Sequence, residues 1–431
     1  MSSLDYLLEQ VCDNCKPLFK RVLERLDELE HRLERYENAH TPPSLRWKSA
    51  EKTSSSGKVG RPKGHEGITR PQATPTRTIP VRLKECPRCH KRLGKPVKVE
   101  SRVIEEIPKP QPVKVTEFLV HHYDCNSCGK HVVASDSRCP KEGRFGSRTL
   151  AHITLLKYSG RLPHRKVSET LEREFGLVIT PATVLDVTRR VSDSLEGEYQ
   201  KVLNNIRASE VVYIDETGFK VNGIQFWLWT FTTEKETLVV IRQSRSKKVL
   251  IEVLGKTYNG VIVSDGWRSY SNYADKQQRC WAHILREVSY IAENYVEVKP
   301  LSDTLHKLYN RLIKELETQP PPEKRKQIYD RAIRTIQDWT HREYTTGKVT
   351  QLVGKIKAAA KSMLTFVLHP GVEPTNNKAE RALREHVVQR KIIGTLRNSK
   401  GIKIHETIMT MLATWKRQNL NPYLMIQSNI S

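Results

Sequence analysis

Two β-branched runs constrain this chain more than anything else in it. Val211-Val212-Tyr213-Ile214 leads directly into Asp215, and Val261-Ile262-Val263 reaches Asp265 one residue later. Runs of this kind read as buried strands. A carboxylate at or near the end of a central strand is held rigidly and can face a neighbour on the adjacent strand. A third acid, Glu380, lies in a helical stretch that continues through Arg381 and Arg384. Two hard oxygen ligands from strands and a third from a helix suit a pair of Mg2+ (or Mn2+) ions. Such a pair can run an in-line attack on a phosphodiester.

The segments around these acids have a definite order. Val211 to Val221 reads as a strand, Asn222-Gly223 as a two-residue hairpin turn, and Gln225 to Thr232 as the return strand. Thr237 to Arg242 supplies a third strand, Ser246 to Leu254 a short helix, and Val261 to Ser264 a fourth strand. This is the order of a ribonuclease-H-like core, in which the first and fourth strands are neighbours and would set Asp215 beside Asp265. Glu216 points to the opposite face of its strand and is the poorer ligand. Glu380, three residues after Asn377, also fits a helix-capping pair, a role compatible with metal binding. Arg381, Arg384, Arg390 and Lys391 favour the metal reading, because phosphate has to be neutralised beside a cleavage site.

Between Asp265 and Glu380 lie 114 residues, more than the bare fold requires. Residues 282–368 read as a helical insertion broken at Pro320-Pro321-Pro322. Cys280-Trp281-Ala282-His283 opens it. A CxxH unit can be half a zinc site, His283 can contact DNA near a scissile bond, or it can be a packed core histidine.

The N-terminal third is different in kind. Over the whole chain Lys and Arg total 73 against 48 Asp and Glu, a net charge of +25, which is the electrostatic footprint of a polyanion partner such as DNA. Residues 1–40 carry an apolar seam (Phe19, Val22, Leu26, Leu29, Leu33) with coiled-coil spacing, which points to a homodimer or higher oligomer. Residues 41–80 form a basic linker, where Arg61 and Lys63 in Gly60-Arg61-Pro62-Lys63-Gly64 suit a narrow minor groove. Residues 81–142 hold Cys86, Cys89, Cys125 and Cys128, two CxxC pairs that can bind a structural Zn2+. Val97 to Ile107 and Val113 to His122 are the strands expected to fill the gap between them. Cys12 and Cys15 fall on the apolar seam and read as buried small hydrophobes.

Residues 143–205 read as three short helices resembling a helix-turn-helix. Thr180 caps and Pro181 starts the last of them, and Thr183, Arg189 and Arg190 could face DNA. The alternative is an ordinary helical bundle. Residues 206–398 then form the catalytic core and 399–431 a C-terminal helical segment. No stretch approaches the apolar length of a membrane span, and the N-terminus lacks a signal peptide. The expectation is a cytoplasmic protein, nucleoid-associated when bound to DNA.

With YIDETGF, the NG hairpin leading to FWLWTF, VSDGWRSY, RCWAHILRE and PTNNKAERALR, the chain resembles transposases of the insertion-sequence 66 family over essentially its whole length. The resemblance implies Asp215, Asp265 and Glu380 as a metal-binding catalytic triad, with Cys280 and His283 as the CxxH motif. It also implies a multidomain α/β protein that binds the terminal inverted repeats of a mobile element and cleaves and joins DNA. Small accessory proteins of the element are possible partners. Two other readings of the residues stay open: a non-catalytic zinc and helix-turn-helix regulator, and a structure-specific nuclease on the same fold.

Overall fold

The computed structural model describes residues 73–136, 138–140, 143–270 and 273–430, with a few positions between 15 and 25. Most of the coiled-coil expectation and the Arg61 and Lys63 expectation lie outside the described residues; Cys15, expected to be buried on the seam, is exposed. The chain divides into two compact units, residues 48–113 and the remainder.

The larger unit is mixed α/β. Strands β3 (Val211–Val221), β4 (Ile224–Thr232) and β5 (Thr237–Arg242) form an antiparallel meander. Asn222 and Gly223 both take positive φ, 49° and 79°, which a two-residue hairpin between right-twisted strands requires. Helix α5 (Lys247–Leu254), capped by Ser246, leads to β6 (Val261–Ser264), which pairs parallel with the free edge of β3. A fifth strand, β7 (Lys276–Arg279), pairs parallel with β6, giving the order β5-β4-β3-β6-β7.

Both faces of the sheet are buried, so its central strands need apolar side chains at successive positions. Val212, Ile214, Trp229, Phe231, Val240 and Ile262 face one core. Helices α1 (Ser147–Tyr158), α2 (His164–Phe175), α3 (Pro181–Ser194) and α4 (Glu196–Ala208) fill it with Ile153, Leu171, Val184 and Ile206. Gly176 ends α2 at φ 64°, and Thr180 caps α3 by accepting the Thr183 amide at 3.2 Å, with Pro181 first in the helix. Tyr213, Val261 and Val263 point the other way, alternating with their neighbours as a strand dictates. They meet α6 (Trp281–Asn294) and the helices that follow it: α7 (Lys299–Glu317), α8 (Pro322–Thr340), α9 (Gly347–Met363) and α10 (Thr365–Leu368). Farther along that face, α11 (Asn377–Ile393) and α12 (Ser399–Arg417) cover Phe219, Leu228 and Val239 with Leu383, Ile404 and Ile408. Helix α13 (Pro422–Ile430) closes the chain.

The structure departs from sequence expectation at two places. The polar segment Lys276–Arg279 becomes a strand because Gln278, fully buried, spends its amide on the insertion. Gln278 Nε2 donates to the Met363 carbonyl at 3.1 Å and its Oε1 accepts the Phe366 amide at 2.8 Å. Conversely, Val97 to Ile107 and Val113 to His122 are not strands, apart from His122 itself. Val97, Val99, Ile104, Ile107 and Val115 stay exposed, and no strand partner takes their backbone groups. The short hairpin of β1 (His122–Asp124) and β2 (His131–Val133) is all that pairs there.

His386 on α11 and His405 on α12 are buried 6.0 Å apart, with Tyr158 and Phe219 also against His405. Burial pushes His386 down to about 4 and His405 to about 3, the latter helped by the charges of His386 and Lys157. Below the ordinary histidine value of 6.5 the unfolded chain binds protons that the folded chain refuses, so stability falls as pH falls. Unfolding midpoints followed from pH 7 to pH 4 should drop, and His405→Phe should flatten that slope.

Candidate active site

The parallel register of β3 and β6 pairs Tyr213 with Val263. Asp215 lies two residues on in β3 and Asp265 one residue past the end of β6, and Asp215 feels the charge of Asp265. Each aspartate is fixed by its own backbone: Asp215 Oδ1 accepts the Glu216 amide at 2.9 Å, and Asp265 Oδ1 accepts the Trp267 amide at 2.8 Å. The turn after Asp265 needs glycine. Gly266 has φ 87°, and a Cβ there would stand 2.6 Å from Arg279 Nε. Burial holds the Asp215 carboxyl well above the usual carboxylate range, and the charges of Glu216, Asp265 and Glu380 add to the effect.

Glu380 reaches the same place through a chain of buried hydrogen bonds. Asn376, fully buried, is the N-cap residue of α11. Its Nδ2 donates to the Ile214 carbonyl at 2.8 Å, and its backbone amide donates to Cys280 Sγ at 3.2 Å. Cys280 in turn donates its own amide to the Ser264 carbonyl at 2.9 Å, and the Asn376 carbonyl accepts the Glu380 amide at 3.1 Å. The residue before Asp215, the residue before Asp265 and the turn bearing Glu380 are thereby joined. The Glu380 carboxylate does not close a capping pair: no side chain caps α11, and Glu380 Oε1 is buried without a hydrogen bond. His283 Nδ1 stands 3.6 Å from that oxygen. Burial lowers the His283 pKa, while Glu380 and Asp265 pull it back up. A buried carboxylate oxygen without a hydrogen bond, near enough to Asp215 for its charge to be felt there, is an arrangement that a divalent cation satisfies.

Other residues singled out from sequence fall into distinct settings. Glu216 points to the opposite face, where it accepts from Arg245 Nε at 2.8 Å and from the Tyr270 hydroxyl. Arg245 is held between Trp227 and Trp267, at 4.5 Å and 4.0 Å from the ring centres. Arg381, Arg384 and Lys391 are exposed on α11, whereas Arg390 is turned inward to Thr217 Oγ1 and the Gly218 carbonyl. On α3, Arg189 pairs with Asp186 and Asp193 on an exposed face, and Thr183 and Arg190 are half-buried. Arg279 was not foreseen. It lies on β7, feels the charge of Asp265, and has its Nε buried without a hydrogen bond. The polar strand that carries it offered no apolar pattern to find.

The two CxxC pairs belong to different units, and each makes the same local turn. The Cys86 amide donates to the Lys91 carbonyl at 2.9 Å, and the Cys125 amide to the Lys130 carbonyl at 2.9 Å. The fourth residue after each, His90 and Gly129, takes positive φ and donates back to the cysteine carbonyl. Neighbouring amides, of Arg88 and Cys89 in one turn and Cys128 and Ser127 in the other, lower the pKa of Cys86 and Cys125. Both first cysteines are set up to carry a thiolate.

A family model described as Transposase IS66 family matches residues 142–404. The chain belongs to this family. Asp215, Asp265, Cys280, His283 and Glu380 all fall inside the matched transposase stretch, and the four CxxC cysteines lie before it. The chain is also 20% identical over 315 residues to "Uncharacterized protein y4qI" of Sinorhizobium fredii, across 64% of this chain. It spans 57% of that protein's length.

Asn376→Ala should cost about 1–3 kcal/mol, since it strands the buried Ile214 carbonyl. Thermal melts of wild type and Asn376→Ala check that loss.

Proposed function

We propose that this chain is a DNA transposase of an insertion sequence. In this reading it binds the element's terminal inverted repeats and carries out metal-dependent cleavage and strand transfer, with Asp215, Asp265 and Glu380 as its triad. The observation that best supports the reading is the parallel β3–β6 pairing that both aspartates follow, together with the unbonded buried oxygen of Glu380. Family membership and the net charge of +25 support DNA as the partner. The strand order and the helical stretch between the second and third acids support a ribonuclease-H-like core over residues 206–398, with its insertion at about 282–368.

Two divalent cations held by these carboxylates would supply activation of the attacking hydroxyl and stabilisation of the leaving oxygen. The protein's own side chains do the rest. Asp215 and Asp265 are fixed in place by strand ends and backbone amides, so little reorganisation is needed on binding. Arg279, Arg381 and Arg384 neutralise phosphate, and His283 stands next to Glu380 on the DNA side. Thr183, Arg189 and Arg190 meet the element ends, Arg189 exchanging its carboxylate partners for phosphate. Residues 1–40 supply self-association, residues 41–80 add minor-groove contact, and the module of 81–142 binds one structural Zn2+ through Cys86, Cys89, Cys125 and Cys128. Residues 143–205 serve end recognition and 399–431 complete the core. No covalent protein–DNA intermediate is required.

The test is cleavage and joining of the gene's own flanking DNA in Mg2+ by wild type and Asp265→Asn. Boundary nicks and joined products should appear with wild type and vanish in the variant, with end binding retained in a gel-shift assay. Tight binding by wild type with no metal-dependent products would contradict the reading. Cys86→Ser or Cys125→Ser should lower bound zinc, and unchanged zinc content would rule out the four-thiolate assignment.

A further inference from the structure

We propose that Cys280, His283 and Glu380 form a second metal site, for a soft cation of the Zn2+ class, and that this cation competes with the catalytic pair for Glu380. The competition, though not the binding, rests on the reading of Glu380 as a catalytic ligand.

One ligand atom from each residue, a sulfur, a ring nitrogen and a carboxylate oxygen, lies within 4.8 Å of both others. Bonds of about 2.3 Å to sulfur and about 2.0–2.2 Å to nitrogen and oxygen give tetrahedral edges of roughly 3.3–3.7 Å. The observed 3.6 Å from His283 Nδ1 to Glu380 Oε1 already falls in that range. Small side-chain movements close the remainder. The three ligands come from two helix starts: Cys280 is the N-cap residue of α6, His283 lies in its first turn, and Glu380 lies in the first turn of α11.

Burial pushes the Cys280 thiol up, and neighbouring amides oppose that rise. Cys280 is fully buried, its Sγ accepts the Asn376 amide at 3.2 Å, and the amides of Ala282 and His283 lie beside it. The CxxC turns have the same relation between a cysteine and the amides two and three residues on. A helix N-terminus adds its partial positive charge. Glu380 Oε1 is buried without a hydrogen bond, so a cation has an oxygen ready for it. Thiolate, imidazole and carboxylate together select zinc over magnesium and leave a fourth position for water. Binding releases the Cys280 proton to solvent. With Oε1 on the soft cation, Glu380 gives up charge that the hard-cation pair needs.

The experiment uses the full chain, stripped with chelator, reloaded with Zn2+ and freed of excess ion, with zinc per chain read by mass spectrometry. Cys280→Ser and His283→Ala should each carry one zinc fewer than wild type. Cys86→Ser should lose a different ion, so that Cys86→Ser/His283→Ala loses two. His283→Ala, at a half-buried position, keeps the test decisive if Cys280→Ser misfolds by circular dichroism. Equal zinc in wild type and folded His283→Ala would overturn the site. In the second arm, Zn2+ added to wild type at fixed Mg2+ should suppress flanking-DNA cleavage, and more Mg2+ should restore it. Zinc loss in the variants without such suppression would keep the site and overturn the competition. Were wild type to show no Mg2+-dependent cleavage at all, the catalytic reading and the competition would fall together, and the zinc counts would still decide the site.

Discussion

One buried residue ties together the backbone segments that carry Asp215, Asp265 and Glu380. Asn376 reaches the carbonyl immediately before Asp215, and its backbone amide reaches the sulfur of Cys280. Cys280 is itself bonded to the carbonyl immediately before Asp265. From Asn376 the helix that carries Glu380 begins. Three acids separated by as many as 164 intervening positions are thereby referred to one set of backbone atoms. Buried polar networks of this kind are costly when incomplete and specifying when satisfied, and here the specification is the relative position of three carboxylates.

That arrangement works against the fold's own electrostatics. Burial raises the cost of ionising Asp215 and the like charges around it add to that cost, which is why its carboxyl is held well above its ordinary value. The surrounding architecture is correspondingly stiff. The sheet is buried on both faces, β6 lies between two parallel neighbours, and Trp281, at the root of the insertion, donates its indole N–H to the Met363 carbonyl at 2.6 Å. A strained electrostatic centre on a rigid scaffold favours whatever neutralises it. Divalent cations fit that role, and in the proposed reading the orphaned oxygen of Glu380 is one of their ligands.

How much of this could be read from the residues depended on whether local pattern or tertiary contact decided the element. Strands β3 to β6 and helix α5 were legible almost to the residue, because β-branched runs, an Asn-Gly turn and a serine cap are local signals. The placement of Asp215 near Asp265 followed from that strand order. Strand β7 was not legible: Lys-Gln-Gln-Arg has no apolar period, and only the contacts of Gln278 with the insertion make it a strand. With β7 went Arg279. The converse error came from Val97 to Ile107, whose pattern suits a strand that finds no partner. The role of Asn376 was hidden in a motif where Asn377 looked like the natural capping residue.

Asp215, Asp265 and Glu380 are proposed to form one hard-cation site. The most direct measurement is anomalous diffraction from crystals of the full chain grown or soaked with Mn2+. Anomalous peaks bounded by the three carboxylates in wild type, and absent in Asp215→Asn, are the predicted result. Ordered crystals in which the three carboxylates gather no manganese would contradict it.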